Sequence, residues 1–591
     1  MPQTAPEVII AVLACLVLPC ARAGEAGADP LEGPTTVTVQ TYRGERYTER
    51  LVPGEWLDRV TSTDRGSSLR FPYASGSHVR FDYDEPYMYI HVDGGPRRLA
   101  GVEVRRRGEM EFLRRALADQ ANPLTVWYDP TPEEPFPAIP ADVKVALMVV
   151  FGKHAKWDEL LAACPHLWAL SVGGEPPPPQ VLARLNRLSS LRLHVFNAVL
   201  SDLSWAAGMS NLRVLHLEGP LEVTDLRPLS GLRKLQALTL TACPGLSDLG
   251  PLRHMPQLAK MSLRLSGYSK LPANKALTDL SPLADVPNLE ELRLEGLSGL
   301  RDLGPLANLR RLQTLELAVP IGLSDLKPLG QCTGLRTLRV SGVKASDLAP
   351  LASLSELRHL EIYAPQSFGD TIPDDDITLI GGLKRLESLR LSAPVEDLGP
   401  LAKLANLTQM ELAYCHNVKD LKPVGTLPAL TDLSLKSCGQ VADLAPLGNL
   451  ASLKSLRLDS LGRVTDLAPL ARLTALEDLR IWFCGGITDI RPLAKMSGLN
   501  TLEFLGCNKL SDLSPLAGLK RLRSLWLVAC AGVSDLRPLA FLPSLERVSI
   551  SNCERVKDIS PLRPMLRRGG KVMHNKDLDQ EVERLRGKWD F

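Results

Sequence analysis

The sequence predicts an α/β fold of stacked repeats. This is a solenoid with a curved parallel sheet on its concave face and short 3₁₀ or α segments on its convex face. Three observations predict it. The motif D-[LI]-x-P-[LV] recurs with its Asp at 225, 248, 279, 302, 325, 347, 397, 420, 443, 466, 489, 512, 535 and 558, and from Asp397 to Asp558 every interval is 23 residues. A second pattern, L-x-x-L-x-L-x-x-C, runs at the same period, as in Leu430, Leu433, Leu435 and Cys438. The chain has 591 residues, 45% hydrophobic and 23% charged. That is too long for one ordinary core but well suited to an array whose units share one.

Each part of the repeat has a physical reason. In x-L-x-L-x, alternate side chains point to opposite sides, so this is one short strand per coil. The leucines then face a core shared with neighbouring coils, because no single coil can bury them alone. The Asp is placed to accept hydrogen bonds from backbone N–H groups just ahead of it. The Pro suits the first turn of a short helical segment. With Val, Ile, Met and Phe allowed at the leucine positions, 18 copies are legible, opening at Val145, Leu167, Leu188, Leu212, Leu235, Leu258, Leu289, Leu312, Leu335, Leu357, Leu386, Leu407, Leu430, Leu453, Leu476, Leu499, Leu522 and Leu545. Two looser Asp positions fit the phase, Asp202 and Asp376.

These motifs resemble leucine-rich repeats, and the Asp-Leu-x-Pro-Leu signature is similar to the internalin type found on bacterial surfaces. The resemblance covers about residues 140–565. It implies a non-enzymatic protein that binds another macromolecule. Where the family usually has Asn after the strand, this chain has Cys, Gly, Ala or Leu.

The ends read differently. Val8 to Pro19 is a short apolar run and Ala21-Arg22-Ala23 is an A-x-A pattern, so residues 1–23 read as a secretory signal peptide. The rivals are an uncleaved membrane anchor and an intracellular scaffold. Residues 24–36 form a linker. Residues 37–140 read as an α/β region or cap, with strands in VTVQTY, HVRFDY, YMYIHV and VEV and a helix over Glu109 to Gln120. An unrecognised activity in 37–140, with the solenoid 141–565 as targeting arm, is the alternative of a different class. Arg105-Arg106-Arg107 reads as a solvated face. At the other end, residues 566–591 read as a cap in which LRRGGKVMH forms a last strand before an amphipathic helix.

Little points to chemistry. There is no H-E-x-x-H, G-x-S-x-G or Walker A motif, and no strand followed by G-x-G-x-x-G. No catalytic residue, cofactor site or metal site is assigned. Net charge is +2, which does not favour nucleic acid. Seven of the 11 cysteines share one repeat position: 243, 415, 438, 484, 507, 530 and 553. They read as a buried column of free thiols, because parallel Cβ vectors on stacked coils suit disulfides poorly. His194 and His216 fall on the strand face of successive coils, where the imidazoles can approach; the competing reading is two isolated, exposed histidines. Two long coils add loops at about 264–277 and 363–376. The second carries Asp370, Asp374, Asp375 and Asp376, which read as solvated rather than calcium-binding.

The outward row of the sheet is the place to look for binding. From Arg293 to Glu411 its middle residues alternate largely between Arg and Glu, as expected of cross-strand ion pairs. Near the end it changes character. Trp482, Leu505, Trp526 and Val528 face outward on adjacent coils, rimmed by Arg457, Arg480 and Glu503. Exposed aromatic clusters mark interfaces, so these seven residues are the expected partner-binding set. The partner is a protein or other macromolecule, with no membrane insertion unless the N-terminal segment is retained. The competing reading is that neighbouring side chains or the C-terminal cap cover the tryptophans. Phe483 is expected to turn inward or lie along the edge.

Overall fold

The computed structural model describes residues 156–574, except for 165–166, 196–198, 266–273, 275, 319–324, 343–347 and 364–371; it also describes the backbones of seven strands between 35 and 152, and residues 582, 584 and 585. The expected signal segment, residues 24–34 of the expected linker, the helix at 109–120, the Arg105–Arg107 run and Asp370 lie outside the described residues, while residues 35 and 36 of that linker begin the first strand. The chain forms two compact units, Met1–Leu300 and Arg301–Phe591.

In the first unit, Thr35–Gln40 pairs antiparallel with Arg46–Leu51, and Val79–Asp84 pairs antiparallel with Tyr87–Val92, which pairs in turn with Arg98–Val104. From there the pairing becomes parallel. Arg98–Val104 joins Leu124–Tyr128, which joins Val145–Gly152, and the ladder continues through Ala169–Gly174, Ser190–Val195, Val214–Glu218, Ala237–Thr241 and Lys260–Arg264 to Glu291–Glu295. The parallel ladder thus begins two strands before the first leucine repeat. Leu124–Tyr128 carries only one leucine in Leu-Thr-Val-Trp-Tyr, so the leucine pattern does not reveal it.

The second unit repeats one device eleven times. Strands run from Thr314–Ala318 through Thr337–Ser341, His359–Tyr363, Ser388–Ser392, Gln409–Ala413, Asp432–Lys436, Ser455–Asp459, Asp478–Trp482, Thr501–Leu505 and Ser524–Val528 to Arg547–Ser549. Each pairs in parallel with the next, and Arg547–Ser549 pairs with Lys571–Met573, the strand expected in LRRGGKVMH. Seven strands in the first unit and eleven in the second match the 18 repeat copies one for one.

The repeat chemistry is visible coil by coil. Leu476, Leu479 and Ile481 are fully buried, as are Leu499, Leu502 and Phe504 on the next coil. A short 3₁₀ segment with Pro in its first turn follows each Asp in most coils, as in Ala468–Arg472. Asp466 Oδ1 accepts from the N–H of Ala468 at 2.7 Å, where the segment begins. The same bond from Asp to the residue two ahead occurs at Asp225, Asp248, Asp279, Asp302, Asp325, Asp397, Asp420, Asp443, Asp489, Asp512, Asp535 and Asp558, and also at Asp202. Asp347 lies outside the described residues. The looser member Asp376 is buried and instead accepts from the N–H of Leu348 of the preceding coil.

Two expectations about the long coils change. Asp374, Asp375 and Asp376 are not loop residues but form the first turn of the helix Asp374–Ile380, where carboxylates complement the helix N-terminus. In the other long coil, Asn274 is fully buried, and its side-chain amide donates to the carbonyls of Cys243 and Leu246 at 3.2 and 2.7 Å. Its carbonyl oxygen accepts from the N–H groups of Ala276 and Leu277. Asn406, of the sequon Asn406-Leu-Thr408, donates its side-chain amide to the Lys384 carbonyl at 2.9 Å. Among the described residues no helix is long and apolar enough to cross a membrane.

The cysteine column is buried and unbridged. Each thiol in the later coils lies within reach of two carbonyls, one on its own strand and one on the coil before. Cys484 Sγ is 3.3 Å from the Trp482 carbonyl oxygen and 3.7 Å from that of Leu458; Cys507 Sγ is 3.7 Å from that of Leu505 and 3.3 Å from that of Ile481. The position after the strand therefore admits a buried donor, which thiols supply in most of the later coils, while Leu461 fills it as an apolar residue. Burial pushes the Cys484 thiol up to about 12 and that of Cys507 up to about 11, so both stay protonated and unreactive near neutral pH.

Candidate functional site

The outward sheet face of the second unit carries one continuous in-register row, Glu316, Arg339, Glu361, Arg390, Glu411, Ser434, Arg457, Arg480, Glu503, Trp526 and Ser549. Its first half is an ion-pair ladder. Arg339 bridges Glu316 and Glu361, and Arg390 contacts Glu361 at 3.4 Å and Glu411 at 3.6 Å. Opposite charges on adjacent strands pair as sheet chemistry requires.

From Arg457 onward the row behaves differently, and a second row lies beside it: Asp459, Trp482, Leu505 and Val528. All seven residues singled out from the sequence share this face. Trp482, Leu505, Trp526 and Val528 are half-buried, as are Arg457, Arg480 and Glu503, while Leu479 and Ile481 between them are fully buried. The strand phase is therefore the one the leucine pattern dictates. Neighbouring side chains do cover part of Trp482. The Arg457 guanidinium lies 3.8 Å from the ring centroid, and the indole N–H donates to Glu503 Oε2 at 3.2 Å. Arg457 also donates to Asp459 at 2.7 Å, and Arg480 donates to Asp478 at 2.9 Å while lying 3.5 Å from Glu503.

This charge network is partly desolvated. Burial pushes the Asp478 and Glu503 carboxyls above their ordinary range, despite Arg480 beside both. Arg457 Nε, Arg480 Nε and Asp478 Oδ1 are buried and form no hydrogen bond among the described residues. Desolvated, incompletely satisfied charges cost stability and cluster at functional surfaces.

Phe483 lies along the edge rather than inward. It is 55% exposed and has φ 52°, in the left-handed region. The same repeat position holds a positive φ at Tyr414, Ser437, Ser460, Gly506, Ala529 and Asn552. The turn lets the residue's N–H reach the last strand carbonyl of the next coil, as in Phe483 N–H to the Leu505 carbonyl at 2.6 Å. The Phe483 ring leans over Gly506, where an added Cβ would stand 2.6 Å from ring atom Cδ1. So Trp482 and Phe483 are consecutive because one ends the strand facing outward and the other makes the turn.

The first unit holds a second cluster. His194 and His216 are not isolated exposed histidines: His216 is buried, the ring centroids are 5.1 Å apart, and both imidazoles meet Glu218. His194 Nδ1 is 2.8 Å from Glu218 Oε2, and His216 Nε2 is 3.3 Å from the same oxygen. Hydrogen bonds from His194 first, then His216, hold the Glu218 carboxyl well below the usual carboxylate range. The contribution of Glu218 was missed in sequence because one carboxylate two residues after a histidine is an unremarkable pattern without the neighbouring strand.

A parallel strand, an Asx-capped 3₁₀ turn and a shared leucine core in each coil define a leucine-rich-repeat protein. No protein-family model matches the chain, and no curated protein matches it. Among solved structures it is similar to an internalin from Listeria monocytogenes, with 24% identity over 63% of this chain and 89% of that one, at a TM-score of 0.38. It is also similar to a leucine-rich-repeat protein of Leptospira interrogans, with 20% identity over 65% and 90% and a TM-score of 0.46. A third is the functional domain of InlJ from Listeria monocytogenes, described as including a cysteine ladder, with 17% identity over 63% and 76% and a TM-score of 0.39.

Proposed function

We propose that this is an exported, non-enzymatic leucine-rich-repeat protein that binds a protein partner through the outward sheet face around Trp482 and Trp526. The observation that carries the reading is that Trp482 is held in place, half-exposed, between Arg457 and Glu503. An aromatic anchor fixed before binding loses little conformational entropy on association. Leu505 and Val528 extend the apolar surface along its row, and Trp526 adds a second indole in the adjacent row. Apolar anchors with a charged rim are what a protein interface requires. A cation–π stack of this kind contributes about 0.5–1 kcal/mol at a partly exposed site, which helps hold the indole in this orientation before a partner arrives. The apolar run Val8 to Pro19 followed by Ala21-Arg22-Ala23 supports export.

The test uses the full chain as bait, beside a Trp482→Ala, Trp526→Ala double variant of equal folded content. A protein partner retained by the parent and lost by the double variant supports the reading. Equal retention by both removes this face from the function. Sequencing the N-terminus of protein made in a secreting host checks export, with residue 24 expected as the first; an intact Met1 counts against it.

A further inference from the structure

We infer that His194, His216 and Glu218 form a binding site for one divalent transition-metal ion of the zinc class, on the sheet face of the first unit. The fold places them together for a simple reason. Glu218 pairs directly with His194 across neighbouring parallel strands. His216 stands two residues before Glu218, so its side chain emerges on the same face. The ligand atoms of all three lie within 4.8 Å of one another. Glu218 Oε2 lies 2.8 Å from His194 Nδ1 and 3.3 Å from His216 Nε2.

Those spacings suit an ion. Zinc–nitrogen and zinc–oxygen bonds of roughly 2.0–2.2 Å in a tetrahedron put ligand atoms about 3.3–3.5 Å apart. The 2.8 and 3.3 Å contacts of the two imidazoles with Glu218 lie at or just below that spacing. Two imidazoles and one carboxylate form a borderline donor set that favours zinc, cobalt or nickel over calcium or magnesium, which want oxygen alone. Three protein ligands leave a fourth position open for water or a partner's side chain.

Further observations point the same way. His194 meets Glu218 through Nδ1, and its Nε2 is buried and forms no hydrogen bond among the described residues, so the contact with Glu218 does not satisfy this imidazole fully. Glu218 is the most exposed of the three, with 24% of its side chain open, which leaves a path for an ion. Gly173, beside His194 on the preceding strand, adds no side chain to crowd that flank. Arg192, beside His216 in its row, is the one opposing charge on the immediately preceding strand of that row. It sets the affinity below that of an all-acidic surround. Nothing here depends on the Trp482 face, which lies in the other unit.

The experiment titrates the chelator-treated full chain with Co²⁺ and then with Zn²⁺. The expected result is one Co²⁺ per chain, a visible d–d absorption band without a near-ultraviolet thiolate band, and displacement by Zn²⁺. Glu218→Gln, which keeps shape and a hydrogen-bond acceptor, should weaken binding at least tenfold, as His216→Ala should. Circular dichroism reports folding of both; Glu218→Gln carries the test if the buried His216 cannot be replaced. Failure of the parent to bind either ion overturns the inference. So does unchanged affinity in folded Glu218→Gln, or a thiolate band that assigns the ion to cysteines.

Discussion

The Arg457 guanidinium and the Trp482 indole are stacked across adjacent strands, 3.8 Å from group to ring centroid. Arg457 stands in the row where earlier coils pair Arg with Glu, yet here it turns to an aromatic ring and to Asp459. The ion-pair ladder therefore gives way to a mixed aromatic surface where Trp482 and Trp526 enter the two rows. Replacing Arg457 by Ala should uncover the indole and also take from the buried Asp459 carboxylate its Arg457 partner while the Ser460 hydroxyl remains, lowering stability by roughly 1–3 kcal/mol with the fold kept. A blue-shifted tryptophan emission in this variant would mean the ring had moved inward instead.

The Asp of each coil should be structural. Asp466→Ala removes the acceptor for the Ala468 N–H at 2.7 Å. It should lower stability by about 0.5–2 kcal/mol, as loss of a cap does. Chemical denaturation of parent and variant checks this; an unchanged midpoint would defeat the assignment.

The left-handed turn before the cysteine column makes an ordered prediction. Ala529 has φ 52°, which a Cβ disfavours. Ala529→Gly should be neutral or stabilising by up to about 1 kcal/mol, since relief of strain is offset by glycine's entropy. Ala529→Val should destabilise by about 1–3 kcal/mol, because a branched side chain tolerates this region least. Thermal midpoints in the reverse order would show that the turn is not strained.

The thiol column should be reduced and shielded. Native protein should react slowly with a thiol reagent and unfolded protein fast. The pH dependence follows in sign. Burial raises the folded pKa of Cys484 to about 12. The associated stability is fully present below the unfolded thiol value of about 8.5. It is lost as pH rises from there through about 12, because the unfolded chain gives up its protons first. Denaturation midpoints at pH 7, 9 and 10 should fall in that order. Disulfides between Cys484, Cys507, Cys530 and Cys553 in native protein would contradict the column.

Much of the solenoid was legible because one physical requirement repeats. Leu479, Ile481 and Asp466 each stand where burial or a turn demands that residue type, so periodicity reports structure directly. The early strands were harder. Leu124–Tyr128 satisfies the same pairing with Thr, Val, Trp and Tyr, leaving no leucine period to read. The Trp482 face was legible because outward positions follow from inward ones. Its electrostatics were not, since the stack of Arg457 on Trp482 depends on rotamers across two strands. The meeting of Glu218 with His194 likewise depends on register between coils rather than on any motif within one.

The most direct measurement pairs partner affinity with folding stability in Trp482→Ala and Trp526→Ala. Each variant should weaken binding by about 2 kcal/mol or more, roughly a thirtyfold rise in Kd, while its denaturation midpoint stays close to the parent's. Folded variants that bind the partner as tightly as the parent would contradict the account and move the search to the two long coils.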